Sequence, residues 1–225
     1  MSRPAASSTE SASLIVRSPG LQAYDRVFDA MRRFTDERTA DTADEIWFTE
    51  HPPIFTLGLN AAREHVLAPG DIPVINVDRG GQVTYHGPGQ LMIYPLIDLR
   101  RAGLGVRDTV TALEQAVIAL LGDRKITAEC RANAPGVYVD DRKVASVGLR
   151  VRRGATYHGM ALNVAMNLEP FSRINPCGYA GLEVTDLRTL GWRLTLEQAR
   201  DAVLPLLLRE LGLDDTALET SDGLV

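Results

Sequence analysis

Apolar positions recur along this chain in two rhythms, one of every second residue and one of every third or fourth. The alternating rhythm marks strands over residues 14–17, 44–50, 54–57, 73–78, 126–131, 136–139, 143–151 and 156–164. The run 91–99 reads as a buried strand, continuously apolar up to Ile97, as a strand covered on both faces should be. The helical rhythm first appears behind Pro19-Gly20, with Leu21, Tyr24, Val27, Phe28, Met31 and Phe34 on one stripe and charges on the other. It returns over 106–122 through Val106, Val110, Leu113, Val117 and Leu120. A last helix opens on a Thr195/Gln198 capping box and carries Leu196, Ala199, Val203, Leu207 and Leu211, with a kink expected at Pro205.

Asp140-Asp141-Arg142 between two strands signals a hairpin, His51-Pro52-Pro53 a turn, and 58–71 a loop. The segment 168–191 has little periodicity, and no internal repeat is visible. Strands with inserted helices, joined by hairpins rather than regular βαβ units, predict an α+β fold with a mixed or antiparallel sheet. Residues 1–12, rich in Ser and Ala, are expected to be disordered, 13–213 to form a single domain, and 214–225 to be an acidic tail.

Composition narrows the partners. The chain has 225 residues, 45% of them hydrophobic, and a net charge of −5. That is enough chain for one sizeable core, and the charge has the wrong sign for a nucleic-acid protein. No apolar run spans a bilayer and the first residues lack a secretory core, so the expected location is the cytoplasm. Cys130 and Cys177 are the two cysteines, too few for a zinc cluster.

The densest chemistry lies at Arg79-Gly80-Gly81-Gln82-Val83-Thr84-Tyr85-His86, followed by Gly87-Pro88-Gly89-Gln90. The paired glycines allow a tight turn and close approach to a ligand. Beyond them Gln82, Thr84 and His86 face one way, Val83 and Tyr85 the other. Polar groups lined up over an apolar strand suit a small ligand with a polar head and an apolar tail; the plainer alternative is a β-turn with ordinary strands.

Cys177 sits in Asn175-Pro176-Cys177-Gly178, a turn sequence that keeps a thiol reachable, whereas Cys130 ends an apolar strand. A free thiol ionises near pH 8.5 and needs a cation or base to react well at neutral pH; a lone Cys is otherwise a small hydrophobe. Lys143, alternating with Ala145, Val147 and Leu149, is a candidate partner on an apolar strand face, or else a solvated lysine at a hairpin tip. His86 and His158 compete as the base; His158, in step with Met160, Leu162 and Val164, has a core position as its default. His51 reads as a turn histidine. A nucleophile with a basic partner points to acyl transfer through a thioester. Phosphate-binding loops, dinucleotide fingerprints, His-Glu-x-x-His and Gly-x-Ser-x-Gly do not occur.

Four ordered motifs together resemble the lipoyl (octanoyl) transferase family. They are Arg79–His86 with its Gly-Pro-Gly-Gln extension, Lys143-Val144-Ala145-Ser146-Val147-Gly148-Leu149, Thr156-Tyr157-His158-Gly159-Met160-Ala161-Leu162-Asn163-Val164, and Asn175-Pro176-Cys177-Gly178. The resemblance extends from about residue 14 to 213. It implies the fold of the biotin and lipoate protein ligases, with a mixed, largely antiparallel sheet and flanking helices. It also implies transfer of an octanoyl group from octanoyl-acyl carrier protein to a lysine of lipoyl domains, those of 2-oxoacid dehydrogenase complexes and the glycine cleavage H protein. Cys177 would carry the acyl thioester and Lys143 would activate the thiol and shuttle its proton. Arg79, Gly80, Gly81, Gln82, Val83, Thr84, Tyr85 and His86, with Ser146, Val147, Gly148, Gly159, Met160 and Ala161, would line the acyl site. No cofactor or metal is implied. An ATP-dependent lipoate–protein ligase is the alternative within the fold, and a non-catalytic acyl-carrier or lipoyl-domain binding module the alternative outside enzymes.

Overall fold

The computed structural model describes residues 14–213 and 218–224. In chain order the elements are β1 (Leu14–Leu21), α1 (Tyr24–Glu37), β2 (Asp44–Glu50), β3 (Ile54–Leu57), β4 (Val74–Asn76), β5 (Val83–His86), β6 (Gln90–Leu96), α2 (Leu99–Ala102), α3 (Val106–Gly122), β7 (Glu129–Cys130), β8 (Gly136–Val139), β9 (Arg142–Arg152), β10 (Ala155–Asn163), α4 (Leu196–Leu211) and β11 (Leu218–Ser221). Eight strands form one sheet in the order β11-β1-β2-β6-β10-β9-β8-β7, and β4-β3-β5 form a second. β1 runs parallel to both its neighbours and β3 to β4; the other pairs are antiparallel, so the fold is α+β with mixed sheets, as expected.

The continuous apolar run in β6 has a direct cause. Leu91 and Ile93 point into a core shared with α3 and α4, while Met92, Tyr94 and Leu96 point to the opposite face against Val27, Ala30 and Met31 of α1. Both faces are covered, so neither parity can be polar. A third cluster, with Phe55, Leu57 and Tyr85 against Phe171 and Ile174, underlies the small sheet. Among the described residues no helix is long and apolar enough to cross a membrane.

The β8–β9 hairpin turns on Asp140 and Asp141, both left-handed at φ 48° and 64°, the backbone of a two-residue turn that Asp tolerates. Thr195 accepts from the Gln198 N–H and Gln198 returns the bond, completing the capping box of α4. α4 runs on through Pro205, which lies on its exposed side, where water can meet the carbonyl that proline leaves unpaired.

Three expectations need correction. The strand over 126–131 shrinks to two residues, because its sole neighbour β8 is short and pairs only at Tyr138 and Val137. Cys130 is therefore exposed rather than closing an apolar strand. Within the expected tail, residues 218–221 add a parallel strand beside β1, from Leu14↔Leu218 to Arg17↔Ser221. Leu21 belongs to β1 and is exposed, not part of the α1 stripe. The expected disordered segment 1–12 lies outside the described residues.

Gly159 shows how tightly the central strands close. A Cβ there would lie 2.1 Å from the Ile93 carbonyl oxygen and 2.7 Å from Pro95 Cδ. Gly159→Ala must force β10 away from β6, and overpacking of this kind costs about 1–3 kcal/mol. A urea titration should show a lower midpoint with an unchanged slope; an unchanged midpoint would mean the strands yield freely.

Candidate active site

A cavity of about 520 Å³ lies between the two sheets, reached by β5, β6, β9 and β10 and by the turn at 79–82. The turn is stapled in place by its own arginine. Arg79 is buried, and its guanidinium donates to the Thr56 carbonyl (2.7 Å), Thr56 Oγ1 (2.9 Å), the Gln82 carbonyl (2.8 Å) and the Gly80 carbonyl (2.9 Å). Burial lowers its pKa from the usual arginine value, against raising influences from Tyr24 and Cys177. Gly81 takes φ +85°, and its carbonyl would lie 2.4 Å from a Cβ on Gly58, so both positions exclude a side chain.

Fourteen of the sixteen expected site residues line this cavity: Arg79, Gly80, Gly81, Gln82, Val83, Thr84, His86, Ser146, Val147, Gly148, Gly159, Met160, Ala161 and Cys177. Tyr85 does not. Its ring packs under the small sheet, 5.5 Å from those of Phe55 and Phe171, as its place on the other face of β5 requires. Lys143 stands behind the lining and reaches it through Cys177.

The cysteine occupies a constrained turn. Cys177 has φ 57° and ψ 16°, a left-handed backbone that costs a non-glycine residue about 1 kcal/mol or more. The turn holds because the Asn175 N–H donates to the His65 carbonyl (2.8 Å) and the Gly178 N–H to the Asn175 carbonyl (2.9 Å). Lys143, 1% exposed, donates from Nζ to Cys177 Sγ at 2.9 Å and to the Pro135 carbonyl at 2.9 Å. Of the three basic groups weighed from the sequence, Lys143 is thus the one that hydrogen-bonds the thiol.

How Lys143 gets there differs from simple alternation. The β8–β9 register shifts between Val137 and Tyr138, so Val137 faces Ala145 but Tyr138 faces Lys143. The extra residue is a β-bulge, and it puts Lys143 on the opposite face from Ala145. His158 departs from alternation too. Its backbone is left-handed at φ 58°, and its ring stacks on Phe28 of α1 at 5.2 Å instead of joining Met160 and Leu162.

His51, His86 and His158 are buried, and burial is the first cause that lowers each of their pKa values. His86 sits well below 6.5 and is bonded to Gln90 Oε1 (2.8 Å) and Thr56 Oγ1 (3.2 Å). His158 is lowered too, with Nε2 2.9 Å from Asp78 Oδ1. Burial alone would raise Asp78, but hydrogen bonds from His158 and Tyr157 bring it down to about 2. His51 lies in the connection between β2 and β3, as read from the sequence, but it is 1% exposed, bridges the Gln22 carbonyl and Tyr94 Oη at 2.8 Å each, and has its pKa lowered to about 4. Tyr24 and Tyr94, which also line the cavity, were legible only as core positions. Among the described residues no group of three or more His, Cys, Asp or Glu could hold a metal ion.

Residues 23–207 match the family model described as the lipoyl protein ligase A/B catalytic domain. Among curated proteins, the octanoyltransferase of Shewanella oneidensis is 55% identical over 203 residues, covering 90% of this chain and 94% of that protein. That of Nitrosococcus oceani is 58% identical over 199 residues, 88% of this chain and 89% of the other. Among solved structures, lipoate-protein ligase A bound with ATP superposes with a TM-score of 0.73 at 14% identity, covering 93% of this chain and 89% of that one. The biotin protein ligase of Aquifex aeolicus in complex with biotin and ATP gives 0.54 at 13%, covering 89% and 70%. At such identities the structural matches speak for the fold alone.

The buried histidines make stability pH-dependent. An unfolded histidine protonates near pH 6.5, but His51 in the folded chain not until about 4. Between those values the unfolded state binds more protons, so stability falls as pH falls, by up to about 3 kcal/mol from His51. Urea unfolding followed from pH 7 to 4 should show this slope, and His51→Gln should flatten it. An equally steep slope in the variant would show that His51 titrates normally.

Proposed function

The chain belongs to the family of lipoyl protein ligase A/B catalytic domains, among its octanoyltransferases, and we propose that it moves an octanoyl group from octanoyl-acyl carrier protein to the ε-amine of a lysine on a lipoyl domain through a thioester on Cys177. It is an acyltransferase of protein lipoylation. The observation that carries the finer reading is the 2.9 Å contact between Lys143 Nζ and Cys177 Sγ, both buried or half-buried at the edge of an apolar cavity.

The chemistry closes on these two groups. The Cys177 thiolate attacks the donor thioester carbonyl; the Cys177 acyl bond forms, the donor C–S bond breaks, and the Lys143 ammonium gives its proton to the departing thiolate. The acceptor amine then attacks the Cys177 thioester. The amide bond forms, the C–S bond breaks, and the neutral Lys143 amine takes the proton released from nitrogen. Thiolate and ammonium are restored. A thioester exchange is nearly balanced and a thioester-to-amide step is downhill, so the sequence runs without ATP. The eight-carbon chain is held against Val83, Met92 and Met160 in the cavity, each buried CH₂ contributing about 0.8 kcal/mol. The reading takes residues 13–213 as the catalytic domain, working in the cytoplasm on lipoyl domains of 2-oxoacid dehydrogenase complexes and the glycine cleavage H protein.

The test is intact-mass measurement after incubation with octanoyl-acyl carrier protein and no ATP. One octanoyl group should appear on the chain, map to Cys177, persist in Cys130→Ser and vanish in Cys177→Ser. Lys143→Met should slow transfer by about 100-fold or more, the usual scale of proton-transfer catalysis, with little loss of donor binding. An adduct on Cys130, or turnover only with ATP, would sink the reading.

A further inference from the structure

The Lys143–Cys177 pair has a third charged neighbour, on an element no motif points to. Glu114 lies midway along α3, and its residue is only 6% exposed. Its Oε1 accepts from the Gly136 N–H at 2.6 Å. Gly136 directly follows Pro135, whose carbonyl accepts from Lys143 Nζ. A Cβ on Gly136 would lie 3.0 Å from Lys143 Cε and 3.2 Å from Nζ, so the ammonium passes over the residue whose N–H the carboxylate holds. Lys143 is also the one cation acting on the Glu114 carboxyl, whose pKa is raised by burial first and held down by the Gly136 N–H and by Lys143.

A buried carboxylate near a buried lysine matters because the other anion is transient. In the reaction proposed above, the thiolate that balances Lys143 disappears once Cys177 is acylated. An ammonium in a dry site with no counter-charge is costly. We infer that Glu114 is a positioning residue of the acyl transfer: it fixes the 135–136 turn that carries Lys143 and supplies the negative charge that lets Lys143 accept a proton while Cys177 is acylated. This inference rests on the Cys177 thioester reading. It adds a step-specific role, since removing the charge should weaken Lys143 as a base in the acyl-enzyme.

The groups that titrate around the pair set the controls. Glu114 faces Lys143 from β9 and Tyr138 from β8; Lys143 faces Glu114, Tyr138 and Cys177, with its Nζ 5.1 Å above the Tyr138 ring. Arg131 lies over the same ring at 4.3 Å and is bonded to Glu129 and Asp141. Burial, then the charge of Cys177, raise the Tyr138 pKa, so it stays neutral through the working range.

Glu114→Gln keeps an oxygen for the Gly136 N–H and deletes only the charge. The experiment uses full-length chain preloaded with octanoate on Cys177 and follows transfer to a lipoyl domain against pH. The acceptor is the same throughout, so differences report on the enzyme. Loss of the carboxylate should let Lys143 shed its proton earlier, moving the rising limb down by about one pH unit, the scale of a nearby charge, and lowering the plateau. In the Lys143→Met background the same substitution should move nothing. A Glu114→Gln profile superimposable on wild type, or an equal shift without Lys143, overturns the inference. A wild-type chain that takes no adduct overturns both this and the thioester reading. Should Glu114→Gln fail to fold, carbon-13 resonances of the wild-type Glu114 carboxyl decide: ionised at pH 7 before and after acylation is expected, and a protonated carboxyl overturns the role.

Discussion

A lysine side chain with 1% exposure is the constraint around which this architecture closes. A buried charge is tolerated only with partners at good geometry, and the partners of Lys143 come from separate parts of the chain. Pro135 supplies a carbonyl ahead of β8, Tyr138 an aromatic face, and Cys177 its sulfur from a turn more than thirty residues on. The backbone is gripped as well: the Lys143 N–H donates to the Glu183 carbonyl and its carbonyl accepts from the Thr185 N–H, both at 2.9 Å. Residues 183–185 thereby tie the end of the cysteine segment to the strand that carries the lysine. Moving Lys143 would unpair all of these at once.

The turn at Cys177 is strained for a related reason. A left-handed cysteine persists only when its surroundings over-determine it. Here the 58–68 loop does so from one side, through the His65 carbonyl and a Gly178 that must lack a Cβ near Gln82 and His65, and β9 does so from the other. The sulfur is carried by this fixed backbone, so its position depends on the small sheet and the large one together.

Much of this was legible in the sequence, and what was not follows from two physical causes. β2, β3 and α3 fall where the periodicity set them, and the four motifs converge on one cavity, from the turn at 79–82 with β5, from the middle of β9 and of β10, and from the turn at Cys177. Lys143 was paired with the right cysteine but assigned the wrong face, because a β-bulge adds one residue without changing composition and reverses every parity beyond it. His158 fell to the same blindness through a single positive φ. The second cause is distance along the chain. His51 and Tyr94 are 43 residues apart, and Glu114 and Gly136 are 22; periodicity shows that such side chains are buried but cannot show which polar tips meet.

The meeting of those tips explains how a cavity lined by arginine, histidine and tyrosine can still present a largely apolar wall. Listed as residue types, the lining looks hydrophilic. Its polar atoms, however, are turned to one another: Arg79 to Thr56, Gln82 and Gly80, His86 to Gln90 and Thr56, His158 to Asp78, and Tyr94 to His51. Burial keeps the three imidazoles neutral at pH 7, since each pKa is lowered from 6.5. What remains toward the cavity is largely apolar, with Gln82, Thr84, Ser146 and Cys177 also on its wall. Apart from His158 Nδ1, which is buried without a hydrogen-bond partner, this network is paired, and paired networks of this kind are rigid, so the wall keeps its shape. The polar residues thus set where the apolar surface lies, and the Lys143 Nζ–Cys177 Sγ contact stands at one edge of it.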